Sequence, residues 1–308
     1  EPALPAVTRH IANIAGDIMS NYDCDGIILD RIRYPQTAFQ RDTLDFGYHP
    51  WAVSRFNFLR GRQGVPDPYD SDWISFRQEA ITRTVSAIYR TITEVDPEHR
   101  LLAYPIGRLD DAVEFNYQDW PSWLSRNVID GVLPQIYDQD LGVFESRLTR
   151  HRAAYGGDRL LGATLDAFRP GHELAGRIEL VRESGLDGTS PFRHGVMGPL
   201  GYLDDLALAW DGAADWPDWP GKGEPIRSLV VRAGSDGAHE WIVLNPNSEA
   251  LYVTWTVEGS GEAGATYARP GETTLQTAAT SHPTAMVVRW YDGEGCPQFD
   301  VAVRPTSG

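Results

Sequence analysis

The stretch 25–35 reads DGIILDRIRYP: an apolar run, then a carboxylate (Asp30), two guanidiniums (Arg31 and Arg33) and a phenol (Tyr34). An opposite charge favours the ionised form of a carboxylate, so arginines beside Asp30 suit a nucleophile, base or electrostatic role rather than that of an acid. Four more apolar runs end the same way: the second in Tyr104, the third in Gln135, Tyr137 and Asp138, the fourth in Asp166, the fifth in Arg193 and His194. Carboxylates, amides, phenols and guanidiniums bind hydroxyls and move protons, so the set predicts a polyol-binding cleft. Plainer readings stand beside it. Asp30 can pair with Arg31 or Arg33, or accept hydrogen bonds from its own turn. The run Arg33-Tyr34-Pro35 can be a packed corner, Asp166 can pair with Arg169, and His194 can be a solvated turn residue. Gln135 and Tyr137 alternate along a strand and so share a face opposite Ile136; packing explains an amide and a phenol on one inner face poorly.

Groups at strand ends need elements to hold them. Residues 4–22 show apolar positions at helical spacing (Val7, Ile11, Ile14, Ile18, Met19), and 26–30 is a short apolar strand. Residues 35–70 read as a long loop rich in Pro, Gly, Asp and aromatics. Residues 71–95 form the clearest helix, with Trp73, Phe76, Ile81, Val85, Ile88 and Ile92 in one stripe. Strands then alternate with helices: 100–107, 118–127, 130–137, 141–155, 159–168, 172–184, 186–197 and 199–210. One helix followed by five βα units predicts parallel pairing with right-handed crossovers. In such folds reactive groups sit where strands end. Asp119 is expected to cap the helix that follows it, with Trp120 and Trp123 packed inward. The text then changes to a Pro-, Gly- and Trp-rich linker over 213–225, and 226–308 carries β-rich runs expected to form a small sandwich, Ig-like or fibronectin-like, of six or seven strands. The expected organisation is an α/β domain over 1–212, the linker, and the sandwich.

Composition narrows the function classes. The chain has 308 residues, 27 basic and 43 acidic, for a formal charge of −16, which sets nucleic acid and anionic lipid aside as partners. No apolar run is long enough for a membrane span. Cys24 and Cys296 form neither a metal spacing nor a disulfide framework, and Cys24, ahead of an apolar strand, is expected to be a buried thiol. Nucleotide, zinc and serine-nucleophile motifs are absent from the places their chemistry needs, so neither cofactor nor metal is expected. Ten tryptophans and 13 tyrosines suit sugar-stacking surfaces and large cores equally.

Several segments in order, EPALPAVTRHI, NYDCDGIILDRIRYP, DWISFRQEAI, QDWPSWL and DGVLPQIYD, resemble the glycosyl-hydrolase-like family ten over about residues 2–210. The family pattern is D-G-I-H-[FL]-D, an R-Y-P or F-Y-P corner, and a later P-Q-x-Y strand. The resemblance implies a (β/α)8 TIM-type barrel, an extracellular or cell-envelope location, and a polysaccharide or oligosaccharide substrate, with amino-sugar polymers such as peptidoglycan strands favoured. For a glycoside hydrolase working with carboxylates at strand ends, Asp30 is the expected catalytic carboxylate, with Asp166 or Asp138 as its partner, and Arg31, Arg33, Tyr34, Tyr104, Gln135, Tyr137, Arg193 and His194 are expected to bind substrate. Two departures stand out. Ile28 replaces the family's histidine, and with Ile32 it breaks the chitinase-type D-x-x-D-x-D-x-E pattern. Also, five strands are present where the barrel has eight. Matching DGIILD to the fourth strand predicts that strands one to three come from an upstream segment or a second chain, the alternative being a complete open-sheet protein. A non-catalytic glycan-binding protein with a degenerate barrel is the rival to the hydrolase.

Overall fold

A computed structural model describes residues 1–35, 45–171 and 173–209, and, further on, 228–234, 240–247, 250–258, 262–277, 284–291 and 297–304. The expected linker over 213–225 lies outside the described residues, as does Cys296. The chain forms two compact units: one unites 1–16, 41–91 and 223–308, the other 17–40 and 92–222. Helix α1 (Pro5–Asn21) begins in the first and ends in the second.

The second unit carries the strand ends singled out above. Strand β1 (Gly26–Asp30) pairs in parallel with β2 (Arg100–Tyr104), aligning Asp30 with Tyr104 and Ile28 with Leu102. Helix α2 (Pro50–Arg60) and helix α3 (Ser71–Val95) precede β2, and α3 buries all six residues of its predicted stripe. Helix α2 corrects the expectation of a long loop over 35–70. Its ends were signalled: Pro50 opens it, His49 Nδ1 accepts from the Trp51 N–H, and Gly61 closes it at φ 60°. The interior lacks a clean apolar stripe, so periodicity alone passes it over.

After β2 comes a π-helical turn over Asp111–Phe115, then α4 (Trp120–Ser125). Asp119 stands at the N-cap of α4, yet its side chain makes no capping hydrogen bond, contrary to expectation; Trp120 and Trp123 are fully buried as expected. The expected strand over 130–137 is two short pieces, β3 (Gly131–Val132) and β4 (Gln135–Ile136), because Pro134 between them has no N–H to donate. The next is likewise divided at Gly162 into β5 (Leu160–Leu161) and β6 (Ala163–Asp166), with α5 (Leu141–Ala154) before it and α6 (Leu174–Glu183) after. Strand β7 (Thr189–Phe192), α7 (His194–Met197) and α8 (Tyr202–Ala209) complete the series. Every pairing is parallel, in the orders β1-β2-β3-β5 and β4-β6-β7, so spatial order follows chain order, as the βα alternation predicts. Among the described residues β1 and β7 each have one strand neighbour. Leu101, Ala103, Val132, Ile136, Leu161 and Leu165 are buried with Phe144, Leu148 and Ile178 of the helices.

In the first unit Phe56, Trp73 and Phe76 form an aromatic cluster, Trp73 and Phe76 stacked at 5.2 Å. Arg77 is buried against it and pairs with Asp45 at 2.7 Å. The described C-terminal residues supply seven antiparallel strands: β8 (Val230–Ala233), β9 (Glu240–Asn245), β10 (Leu251–Glu258), β11 (Ala263–Ala268), β12 (Gly271–Gln276), β13 (Thr284–Tyr291) and β14 (Pro297–Arg304). They form sheets β11-β10-β13-β14 and β12-β9-β8 over one shared core that includes Trp241, Val253, Met286 and Trp290. Helix α2 packs on β10 and β11, where Arg60 hydrogen-bonds the Tyr252 hydroxyl. Cys24 is exposed, not buried, since it precedes β1 rather than entering it. No helix among the described residues is long and apolar enough to cross a membrane.

Candidate active site

Four of the predicted residues converge at the carboxyl ends of the strands. Asp30 ends β1 with its carboxylate exposed, and Oδ1 accepts a hydrogen bond of 3.1 Å from Nε2 of Gln135, the first residue of β4. Tyr137 lies two residues on, on the same face, while Ile136 is buried on the other, as alternation requires. Burial pushes the Tyr137 phenol well above its ordinary pKa, and the charges of Asp30 and then Asp166 add to that, so both carboxylates act on this hydroxyl. Tyr104, aligned with Asp30, exchanges a 2.8 Å hydrogen bond with Ser190 Oγ of β7. The amide thus orients the carboxylate, and a phenol held protonated stands beside it as a donor.

Arg31 adopts the left-handed region at φ 56°, a conformation costly to a residue with a Cβ and found where surrounding structure imposes it. Arg31 is exposed; Arg33 is half-buried, its pKa lowered by burial and by Arg31 while Asp30 opposes. Gln118, buried, locks the two neighbouring loops together. Its Oε1 accepts from the Ile106 N–H at 3.0 Å, and its Nε2 donates to the Ile32 carbonyl at 3.2 Å.

Other predicted residues have different surroundings. Tyr34 is buried edge-on against Tyr117, ring centroids 5.3 Å apart, so it builds the corner after β1. Asp166 is only 1% exposed: Oδ1 accepts from the backbone N–H groups of Phe168 and Arg169, and Oδ2 lies 2.9 Å from Arg169 Nε. Asp138 is gripped at both carboxylate oxygens by Arg147 of α5, and its carbonyl accepts from Arg177 of α6. Arg193 and His194 stand exposed after β7.

Three residues escaped the sequence reading. Phe168 and Phe192 close an aromatic trio with Tyr137: Phe168 meets the phenol ring edge-on at 5.4 Å, and Phe192 stacks on it at 6.1 Å. Phe192 is 42% exposed, offering a flat apolar face beside the polar groups. The signal was available, since Phe168 stands two residues after β6 and Phe192 ends β7. Ser190 could be found only through the β2–β7 proximity. Ile28, where the resemblance expects histidine, shares the Asp30 face and is 45% exposed.

The chain is similar to several solved structures. A chitinase from Bacillus thuringiensis aligns over 99% of this chain and 62% of its own, at 9% identity and a TM-score of 0.42. A β-glucuronidase of Bacteroides uniformis aligns over 99% and 44%, at 11% identity and a TM-score of 0.35. An endo-β-1,4-mannanase of Cellulomonas fimi aligns over 95% and 80%, at 12% identity and a TM-score of 0.34. The chain therefore spans less than two thirds of the length of the first two. No curated protein sequence matches it. A family match covers residues 1–156, ending before Asp166 where the sequence resemblance extended to about 210. It includes the Asp30 strand, Tyr104, Gln135 and Tyr137, and on it the chain belongs to the glycosyl hydrolase-like 10 family.

Proposed function

We propose that this protein is a glycoside hydrolase in which Asp30 is the ionised carboxylate of the reaction. The observation that carries this reading is the exposed Asp30 carboxylate held by Gln135 beside the protonated Tyr137 phenol. Glycoside hydrolysis needs a second carboxyl group opposite the first. Asp166 is the better partner, because its charge bears on the same phenol, whereas Asp138 is turned to Arg147. Tyr104 and Gln135 bind hydroxyls, and Phe192 stacks on a sugar face. The five parallel strand paths serve as strands four to eight of a (β/α)8 barrel, the free edges of β1 and β7 taking up the rest from an upstream segment or another chain. The C-terminal sheets form an accompanying β-sandwich. The substrate is an extracellular or envelope glycan, amino-sugar polymers such as peptidoglycan strands foremost.

One observation favours a second reading, a glycan-binding protein without hydrolysis: of the three candidate carboxylates only Asp30 is exposed, while Asp138 and Asp166 are paired with arginines. Asp30→Asn separates the two. On the first reading it removes reducing-end release from peptidoglycan strands or chitooligosaccharides while the melting temperature holds. Retained release in that variant would sink the assignment of Asp30. Binding by wild-type protein with no release over days establishes the second reading.

A further inference from the structure

The second unit repeats one dipeptide at the start of three strands: Asp25-Gly26 at β1, Asp130-Gly131 at β3 and Asp187-Gly188 at β7. The aspartate turns back to the strand ahead of it in the chain. The Asp130 N–H donates to the Leu101 carbonyl at 2.9 Å, and Asp130 Oδ2 accepts the Leu101 N–H at 2.8 Å. Asp187 makes the same two bonds with Leu161, at 2.9 and 2.8 Å. The carboxylate thus extends the ladder and takes a backbone donor that burial would otherwise leave unpaired.

The glycine turns forward. A Cβ on Gly26 would collide with the Arg100 carbonyl of β2, and one on Gly131 with Leu160 of β5, so only glycine lets each next strand lie so close. Gly188, with no strand on its far side among the described residues, would meet nothing within 4 Å. The dipeptide at β3 is therefore filled on both sides, and the one at β7 on its aspartate side alone.

The dipeptide at β1 is the reverse. Gly26 is filled, and the Asp25 carbonyl accepts from the Arg100 N–H at 2.9 Å. Yet Asp25 is exposed, and neither its N–H nor its carboxylate has a partner among the described residues. The strand that follows shows the same gap. Ile27 and Leu29 are only half-buried, whereas Leu101 and Ala103, their partners in β2, are fully buried, as parallel strands covered on both faces are. A cavity of about 530 Å³ runs along this edge past Asp25, Gly26, Ile27 and Ile28. Ile18 of α1 and Tyr22 just after it stay 37% and 66% exposed.

We infer that Asp25 is the receptor for a parallel strand lying ahead of α1 in the same polypeptide, whose residue opposite Asp25 gives its N–H to the carboxylate. The occupant follows from the two filled dipeptides, where the donor belongs to the strand path next ahead in the chain. A second copy would offer β7, the last strand of the series, where Pro191 has no N–H to give. The inference rests on the partial-barrel reading of the proposed function but not on hydrolysis.

Amide exchange over residues 25–30 is followed by mass spectrometry at micromolar protein, alone and with a millimolar peptide copying residues 98–105 or 158–165, the strands that serve the filled dipeptides. The expected result is fast exchange of the edge-facing amides alone, slowed about tenfold by either peptide, as roughly nine-tenths occupancy requires. The slowing is lost in Asp25→Ala and kept in Asp25→Asn, whose amide oxygen still accepts. Asp25 is exposed and holds Arg100 only through its backbone carbonyl, so neither variant disturbs the fold. No slowing with either peptide, slowing that survives Asp25→Ala, or equal slowing by a scrambled peptide overturns the receptor. Slow exchange in the protein alone overturns it too: if it grows with protein concentration a second copy holds the edge, and if it does not the chain covers its own edge. Absent reducing-end release with the peptide effect intact overturns hydrolysis and leaves the strand site standing.

Discussion

At the scale of single residues, the site is a carboxylate whose orientation depends on one amide. Gln135→Leu keeps the volume but removes the donor to Asp30, so the carboxylate is free to rotate. The expected cost is on the order of 10- to 100-fold in kcat/KM, the range for a misplaced reacting group, with little change in melting temperature; an unchanged kcat/KM would show that the amide does not position Asp30. Tyr137 makes a second prediction. Burial, together with the charges of Asp30 and Asp166, keeps its proton on, so it should stay un-ionised when free tyrosines titrate near pH 10. The ultraviolet phenolate signal of Tyr137→Phe at that pH should therefore equal that of the wild type. Gln135 and Tyr137 were placed on one face by strand alternation, which needs no knowledge of neighbours, and Asp30 and Tyr104 were singled out because they end apolar runs. The fate of Asp138 was not legible, because Arg147 reaches it only once the helix is folded, whereas the packed corner was one of the two readings open for Tyr34. Arg169, adjacent in sequence, did offer itself as the partner of Asp166.

At the scale of elements, α5 links the site to stability through pH. His151 is buried and neutral, with a folded pKa near 4 against an ordinary 6.5. Between these values the unfolded chain binds a proton that the folded chain refuses, so stability rises with pH across that window. The contribution is complete above about pH 6.5 and is lost as pH falls towards 4, by as much as ~3 kcal/mol. Urea unfolding of His151→Leu should show a flatter profile across the window, whatever its absolute stability; an equally steep profile would assign the acid sensitivity elsewhere. The alternation of strands and helices was legible from apolar periodicity, and so was the α3 stripe. The breaks at Pro134 and Gly162 and the helix α2 were written in punctuation residues rather than periodicity. Strand β1 exposes Ile28 beside a cavity of about 530 Å³ bounded by Arg100 and Leu102. With one strand neighbour among the described residues, β1 invites edge pairing. Ile28→Lys should lower self-association at high concentration in light scattering if that edge is sticky, and leave it unchanged if it is not.

At the scale of the whole molecule, parallel strands in chain order and an acidic surface charge were readable from composition and pattern. The grouping of residues 1–16 and 41–91 with 223–308 was not, since it depends on pairings such as Arg60 with Tyr252, separated by most of the chain. Contacts of that sequence separation carry the largest loop-closure cost and form late. Removing residues 223–308 should therefore lower the melting temperature of what remains, by exposing the faces of α2 that β10 and β11 cover; an unaltered transition would show that the first unit holds without them. The discontinuous unit also bears on synthesis at the ribosome. Helix α2 is separated from β10 and β11, the strands it packs on, by most of the chain. The face of α2 that those strands cover must wait through more than a hundred further residues for completion, an interval in which a holding chaperone would be most useful.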